Sequence, residues 1–112
     1  MNIAVIGSRS GFTYYYVKTA LDAMVTSRDT LISGGARGVD SYARRYARER
    51  HLKFIEITPN FSNGFDVFEY FKRNQRIAAN CDIMISFWDG KSKGTLSTIK
   101  YAKKLGKEVI MA

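Results

Sequence analysis

"SGGARGVD", residues 33–40, stands where an apolar run stops and an amphipathic segment begins. "TLISGG" (30–35) reads as a strand running into glycines, and Val39, Ala43, Tyr46 and Ala47 then recur at helical spacing. Glycine at such a junction has a steric reason, since it permits a tight turn. It also lets the backbone approach a second group closely, with amides free to donate at a helix N-terminus. The stretch is therefore a strand-to-helix turn whose backbone suits an anion.

The same alternation extends in both directions. "NIAVIG" (2–7) suits a strand buried on both faces. Val17, Ala20, Leu21 and Met24 place a helix over about residues 12–27. "KFIEI" (53–57) alternates like a strand near a sheet edge, and "TPNFSNGFD" (58–66) is a loop by composition. Val67, Phe68, Phe71, Gln75 and Ala78 set a third helix ending near Asn80, with Phe68 and Phe71 at core spacing. "DIMISFW" (82–88) is a continuous apolar strand and "DGKSKG" (89–94) a loop. Thr95, Ile99, Ala102 and Leu105 mark a fourth helix, which Gly106 is placed to end in the left-handed conformation. "KEVIM" (107–111) is a fifth strand.

Parallel neighbours need crossover connections, and strict alternation supplies them. The expected fold is α/β: a Rossmann-like three-layer α/β/α sandwich around a five-stranded parallel sheet, with residues 1–112 as a single domain.

Composition narrows the function. A chain 46% hydrophobic and 25% charged is globular, not disordered. It has no run long enough for a membrane span and no signal-peptide pattern at its N-terminus. Cys81 is the only cysteine, so no intrachain disulfide forms; the expected thiol is buried and the expected location cytoplasmic. One cysteine and one histidine, His51, cannot fill a coordination shell, so neither metal nor cofactor is expected. The formal net charge of +8 favours anionic partners. Arg44, Arg45 and Arg48 read first as a solvated or intersubunit helix face and only second as a nucleic-acid stripe.

Ligands of doubly wound sheets bind beyond the carboxyl ends of the strands. Three loops there share glycines with hydroxyl or basic residues: "GSRSGF" (7–12), "SGGARGVD" (33–40) and "FWDGKSKGT" (87–95). Together they read as a phosphate cradle built from Gly7, Ser8, Arg9, Ser33, Gly34, Gly35, Ala36, Arg37, Gly38, Gly94 and Thr95. Arg9 either grips phosphate or pairs with an acid on the neighbouring loop. Asp40 either binds a ribose hydroxyl or serves as a favourable charge in the first helical turn. Phe12 either stacks on a base or packs, as most of Tyr14, Tyr15 and Tyr16 are expected to do. Phe65 is weighed for stacking as well, and Trp88 either lines the pocket or caps the core. Neither the G-x-G-x-x-G fingerprint nor the P-loop lysine-hydroxyl pair is present, which disfavours an ordinary NAD dehydrogenase or P-loop NTPase.

"GSR", "SGGARGVD", "RN" (73–74) and the "GT" opening the last helix resemble the SLOG superfamily, which unites DprA/Smf proteins with the "Lonely guy" phosphoribohydrolases. The chain looks most like its small YspA-type members. The resemblance implies a Rossmann-like fold and self-association as a homodimer or higher homo-oligomer. It also implies a nucleotide-derived ligand, second messengers included. It places Gly94 and Thr95 on a phosphate-gripping pair, Arg73 on an arginine that points into the pocket, with Asn74 beside it, and Asp40 on an acidic residue of the first ligand loop. Where the hydrolases carry a catalytic glutamate, this chain has Thr98, and Asp40 and Asp89 are the only nearby carboxylates to replace it. The leading expectation is thus nucleotide binding without cleavage. A nucleoside-monophosphate N-glycosidase is the alternative, and single-stranded nucleic-acid binding of the DprA kind a further one.

Overall fold

The computed structural model describes all 112 residues. Strands and helices alternate from end to end: β1 (Asn2–Gly7), α1 (Tyr14–Asp22), β2 (Thr30–Ser33), α2 (Val39–Glu49), β3 (Lys53–Glu56), α3 (Phe68–Asn80), β4 (Ile83–Phe87), α4 (Lys93–Lys104) and β5 (Glu108–Met111). All neighbouring strands are parallel, in the order β3-β2-β1-β4-β5. Ile3 of β1 stands beside Leu31 of β2 and Ile83 of β4. The protein is an α/β, Rossmann-like sandwich.

Alternation along β1 explains the three layers. Ile3 and Val5 face one side, where Val17 and Leu21 of α1 and Val39, Ala43, Tyr46 and Ala47 of α2 cover them. Ala4 and Ile6 face the other, under Ile77 and Ala78 of α3 and Ile99 and Ala102 of α4. Fully burying a side chain such as Leu21 or Ile77 contributes about 1.5–3 kcal/mol. Cys81 lies buried in the second layer as a free thiol. Gly106 ends α4 at φ +79°, and no helix is long and apolar enough to cross a membrane.

Two helices depart from the sequence expectation. α1 spans nine residues, starting after Thr13, whose hydroxyl accepts from the Tyr16 amide at 3.1 Å. It ends early because Met24 and Val25 return their amides to the Leu21 carbonyl in a turn. Both side chains still pack on the core, so apolar periodicity outlasts the helix. On α3 the inward stripe is rotated: Arg73, Ile77 and Ala78 are buried, whereas Phe68, Phe71 and Gln75 are exposed.

Candidate functional site

The strand order reverses between β1 and β4, so the loops leaving them diverge to opposite faces and open a crevice. Local contacts fix its walls. A side chain at Gly7 would meet the Phe87 carbonyl oxygen at 2.6 Å and Val39 Cγ2 at 2.7 Å. Gly38, at φ +78°, lies against the Arg9 backbone, where a Cβ would meet the carbonyl oxygen at 2.5 Å. Only glycine fits both the space and the dihedral there. The Asp89 amide donates to Ser8 Oγ at 3.1 Å, which joins the β1 loop to the β4 loop.

The crevice has a volume of about 320 Å³, within the range of small-ligand sites. The β1 loop lines it with Gly7, Ser8, Arg9 and Ser10, and the β2 loop with Ala36 and Asp40. α3 supplies Tyr70, Arg73, Asn74 and Ile77; the β4 loop and α4 supply Asp89, Ser92, Gly94, Thr95 and Thr98. A second cleft of about 510 Å³ adjoins it, sharing Arg9, Ala36, Tyr70 and Arg73 and adding Gly35, Arg37, Thr58, Pro59 and Phe61. Arg37 therefore belongs to the second cleft. Ser33, Gly34 and Gly38 line neither and act from behind.

Their role is visible at Gly34. A Cβ there would fall 2.6 Å from Arg73 Nη1 and 2.8 Å from Asp40 Oδ2. Glycine is what leaves room for a buried cation and a buried carboxyl side by side. Arg73 is only 7% exposed, and its Nε donates to Asn74 Oδ1 at 2.8 Å. No carboxylate reaches ion-pairing distance of it. Burial pulls the Arg73 pKa down, and the Asp40 charge pushes it back up. Burial likewise raises the Asp40 pKa, against the Ser33 hydroxyl, the Arg73 charge, the Ala36 amide and the Arg9 charge. The Ala36 amide donates to Asp40 Oδ2 at 3.3 Å, while Ser33 Oγ donates to the Val5 carbonyl at 2.6 Å.

Across the crevice, α4 begins with Ser92 as its cap, whose Oγ accepts from the Thr95 amide at 3.3 Å and donates to Thr95 Oγ1 at 3.0 Å. Apart from its chain neighbours and its own helix backbone, nothing of the protein lies within 4 Å of a Cβ built at Gly94. Glycine is not needed there for packing, and its absent side chain leaves the first turn of α4 open to the crevice. Trp88 Nε1 donates to the Ser92 carbonyl at 2.9 Å; Trp88 packs on the second core layer and does not line the cleft. Phe12 packs edge-on against Phe87 at 5.8 Å and belongs to the first layer. Tyr15 and Tyr16 are exposed.

Of the two candidate acid-base carboxyls, Asp89 is engaged within its own loop. Asp89 Oδ1 accepts from the Ser92 and Lys91 amides, each at 2.8 Å, and these bonds hold its pKa below the ordinary carboxylate value. Thr98 Oγ1 donates to the Gly94 carbonyl of its own helix at 2.8 Å. That leaves Asp40 as the only crevice carboxyl with a raised pKa.

Three of the four arginines on α2 and at its C-cap are paired within the protein, and the exposed Arg48 is not. Arg44 pairs with Glu56 at 3.7 Å, Arg45 with Glu49 at 3.4 Å and Arg50 with Asp22 at 2.7 Å. Arg45 also lies over the Tyr14 ring and Arg50 over the Tyr46 ring. Tyr14 donates to Glu49, and Tyr46 to Asp22 at 2.8 Å. Burial, reinforced by that last bond, pushes the Tyr46 hydroxyl up to about 12. This set clasps α1 to α2.

Missed in the sequence were Tyr70 and Ile77. Yet Tyr70, Arg73, Asn74 and Ile77 follow an i, i+3, i+4, i+7 pattern that puts all four on one helix face. Ser10, Ser92, Thr58, Pro59 and Phe61 carried no comparable signal.

Fold and crevice together define a Rossmann-like domain with a cationic cleft at its switch point. The YAcAr family, described as the YspA, cpYpsA-related SLOG family, matches residues 1–64, and the chain belongs to it. No curated protein sequence matches. Among solved structures, DNA processing protein A from Helicobacter pylori, studied for its single-stranded DNA binding mode, superposes with a TM-score of 0.80 at 22% identity over 99% of this chain. DNA processing protein A from Streptococcus pneumoniae gives 0.85 at 21% identity over 98%. The structural-genomics target TM1055 gives 0.74 at 20% identity over 96% of this chain and 71% of its own. This chain spans 64% and 49% of the two DNA processing proteins, which share its fold.

Proposed function

We propose that this protein binds a phosphate-bearing, nucleotide-derived ligand in the crevice and does not cleave it. The observation that carries this reading is Arg73. A largely buried arginine whose guanidinium lines the clefts with no carboxylate in pairing distance is poised for an anion, which would gain strong charge-assisted bonds there. The open first turn of α4 opposite supplies amides and a positive helix end for the same phosphate. Arg9 adds charge at the rim, and Asp40 is the group suited to a ribose hydroxyl.

Binding without N-glycosidic cleavage is supported at two positions: Thr98 offers no carboxyl, and the bonds to Asp89 Oδ1 hold that group in its charged form, which leaves Asp40 as the one crevice carboxyl whose raised pKa suits proton transfer. A second reading, single-stranded nucleic acid, is supported by the likeness to the DNA processing proteins. The internal pairing of Arg44, Arg45 and Arg50 weighs against α2 as its contact surface.

Titration calorimetry with nucleoside 5′-monophosphates, and with the parent nucleosides as controls, tests the proposal. The monophosphates bind, the nucleosides do not, and Arg73→Met weakens binding about 100-fold. Equal affinity for nucleoside and monophosphate, or an unaffected Arg73→Met variant, refutes it. Chromatographic detection of free base after incubation refutes the absence of cleavage.

A further inference from the structure

The second cleft differs in chemistry from the first. Beside Arg9, Arg37 and Arg73 it is walled by Phe61 and Tyr70. Phe61, Phe65 and Tyr70 form one aromatic cluster on the β3–α3 loop and the start of α3. Phe61 lies 5.4 Å from Phe65 and 5.5 Å from Tyr70, and Phe65 lies 6.2 Å from Tyr70. The fold does not need this cluster, because none of the three belongs to either core layer. Phe65 is 76% exposed. Apolar rings held together at the surface, next to unpaired arginines, match the pairing of stacking platform and cationic groove that receives single-stranded nucleotides.

Continuity of the two clefts adds the second observation. Arg73 and Arg9 line both, so a phosphate lying at their junction touches the same guanidinium from either side. Tyr70 also borders both, with the Arg73 guanidinium 5.7 Å from its ring centre. Each compartment has a volume suited to one nucleotide.

We infer that the ligand consists of two linked nucleotides. The first lies in the crevice with its phosphate between α4 and Arg73, the bridging phosphate sits where the two clefts meet, at Arg9 and the second-cleft side of Arg73, and the second base stacks on the Phe61–Phe65–Tyr70 cluster. This deepens the nucleotide reading given above and rests on it. The chemistry is common to a free dinucleotide and to two adjoining units of a single strand.

Affinities for adenosine 5′-monophosphate, the 5′-phosphorylated diadenylate and a longer oligoadenylate separate the cases, each measured on the native protein and on the Phe61→Ala/Phe65→Ala double variant. The diadenylate binds roughly tenfold or more tightly than the monophosphate, and the double variant loses that advantage while keeping its monophosphate affinity. Both variant positions are exposed and outside the core, and circular dichroism checks that the variant is folded. An oligoadenylate no tighter than the diadenylate assigns the subsite to a free dinucleotide; affinity rising with length and falling steeply with salt assigns it to a strand. Equal affinity for monophosphate and diadenylate overturns the inference and leaves the nucleotide reading intact. Binding of none of the three overturns both. A double variant that changes only the oligomeric mass, with affinities untouched, shows a self-association surface and also overturns it.

Discussion

Two groups of arginines in this protein have opposite fates. On α2 and at its cap, Arg44, Arg45 and Arg50 each meet a carboxylate of the same chain and two of them lie over tyrosine rings, while Arg48 stays exposed to solvent. At the carboxyl edge of the sheet, Arg9, Arg37 and Arg73 meet none. The first group is the more conspicuous in the sequence, because it is dense and helical. The second is scattered over three loops and helices and becomes a group only through the fold. Charge density along a chain is thus a poorer guide to where an anion is expected to bind than uncompensated charge lining a cleft.

The largest test of this contrast is Gly34→Ala. The new Cβ drives the Arg73 guanidinium and the Asp40 carboxyl from their places. Because what it meets is the end of a flexible side chain, the expected outcome is a folded protein with nucleotide affinity lowered by about 100-fold, measured by calorimetry beside a thermal melt. Retained affinity breaks the assignment of Arg73 as the central cation.

A smaller effect concerns Asp40. Its pKa lies above the ordinary carboxylate value through burial, so it gains a proton as pH falls through that raised value, while Arg73 stays charged. A competing negative charge then disappears beside the cation. Affinity for sulfate, whose own charge is constant over the range, is expected to rise several-fold between about pH 7 and pH 4. Asp40→Asn is expected to bind sulfate at neutral pH as the wild type does in acid, with a flat profile. A flat wild-type profile breaks the coupling.

The smallest effect is expected on α2. Arg44→Ala with Arg45→Ala removes two exposed pairs, costing below about 1 kcal/mol of stability in chemical denaturation. Nucleotide affinity is expected to change by less than about twofold at physiological salt, where distant charges are screened. A loss as large as that of Gly34→Ala erases the distinction between the two groups.

The alternation of strands and helices was legible because each strand is a short apolar run and each helix repeats at its own period. The three glycine loops were legible for the same reason, since strand ends fix where loops fall. α1 was read too long because Met24 and Val25 keep the helical spacing while packing from a turn. On α3, Phe68 and Phe71 suggested a core stripe, yet that end of the helix walls a cleft, and the polar Arg73 and Asn74 point inward instead. A reading that equates buried with apolar fails where a helix buries a charged side chain beside a cleft. The Asp40–Arg73 arrangement around Gly34 had no sequence signature, because its members lie far apart in the chain and are matched only in three dimensions.

The bond from the Asp89 amide to Ser8 Oγ has a consequence for the speed and heat of recognition. It braces the two diverging loops against each other before any ligand arrives. A pair of loops joined before binding is expected to cost a ligand its own freedom but little of the protein's. On the nucleotide reading proposed above, a site braced in this way is expected to act as a rigid receptor, with its on-rate set by encounter and charge steering and with differences among nucleotides expressed in how slowly each one leaves.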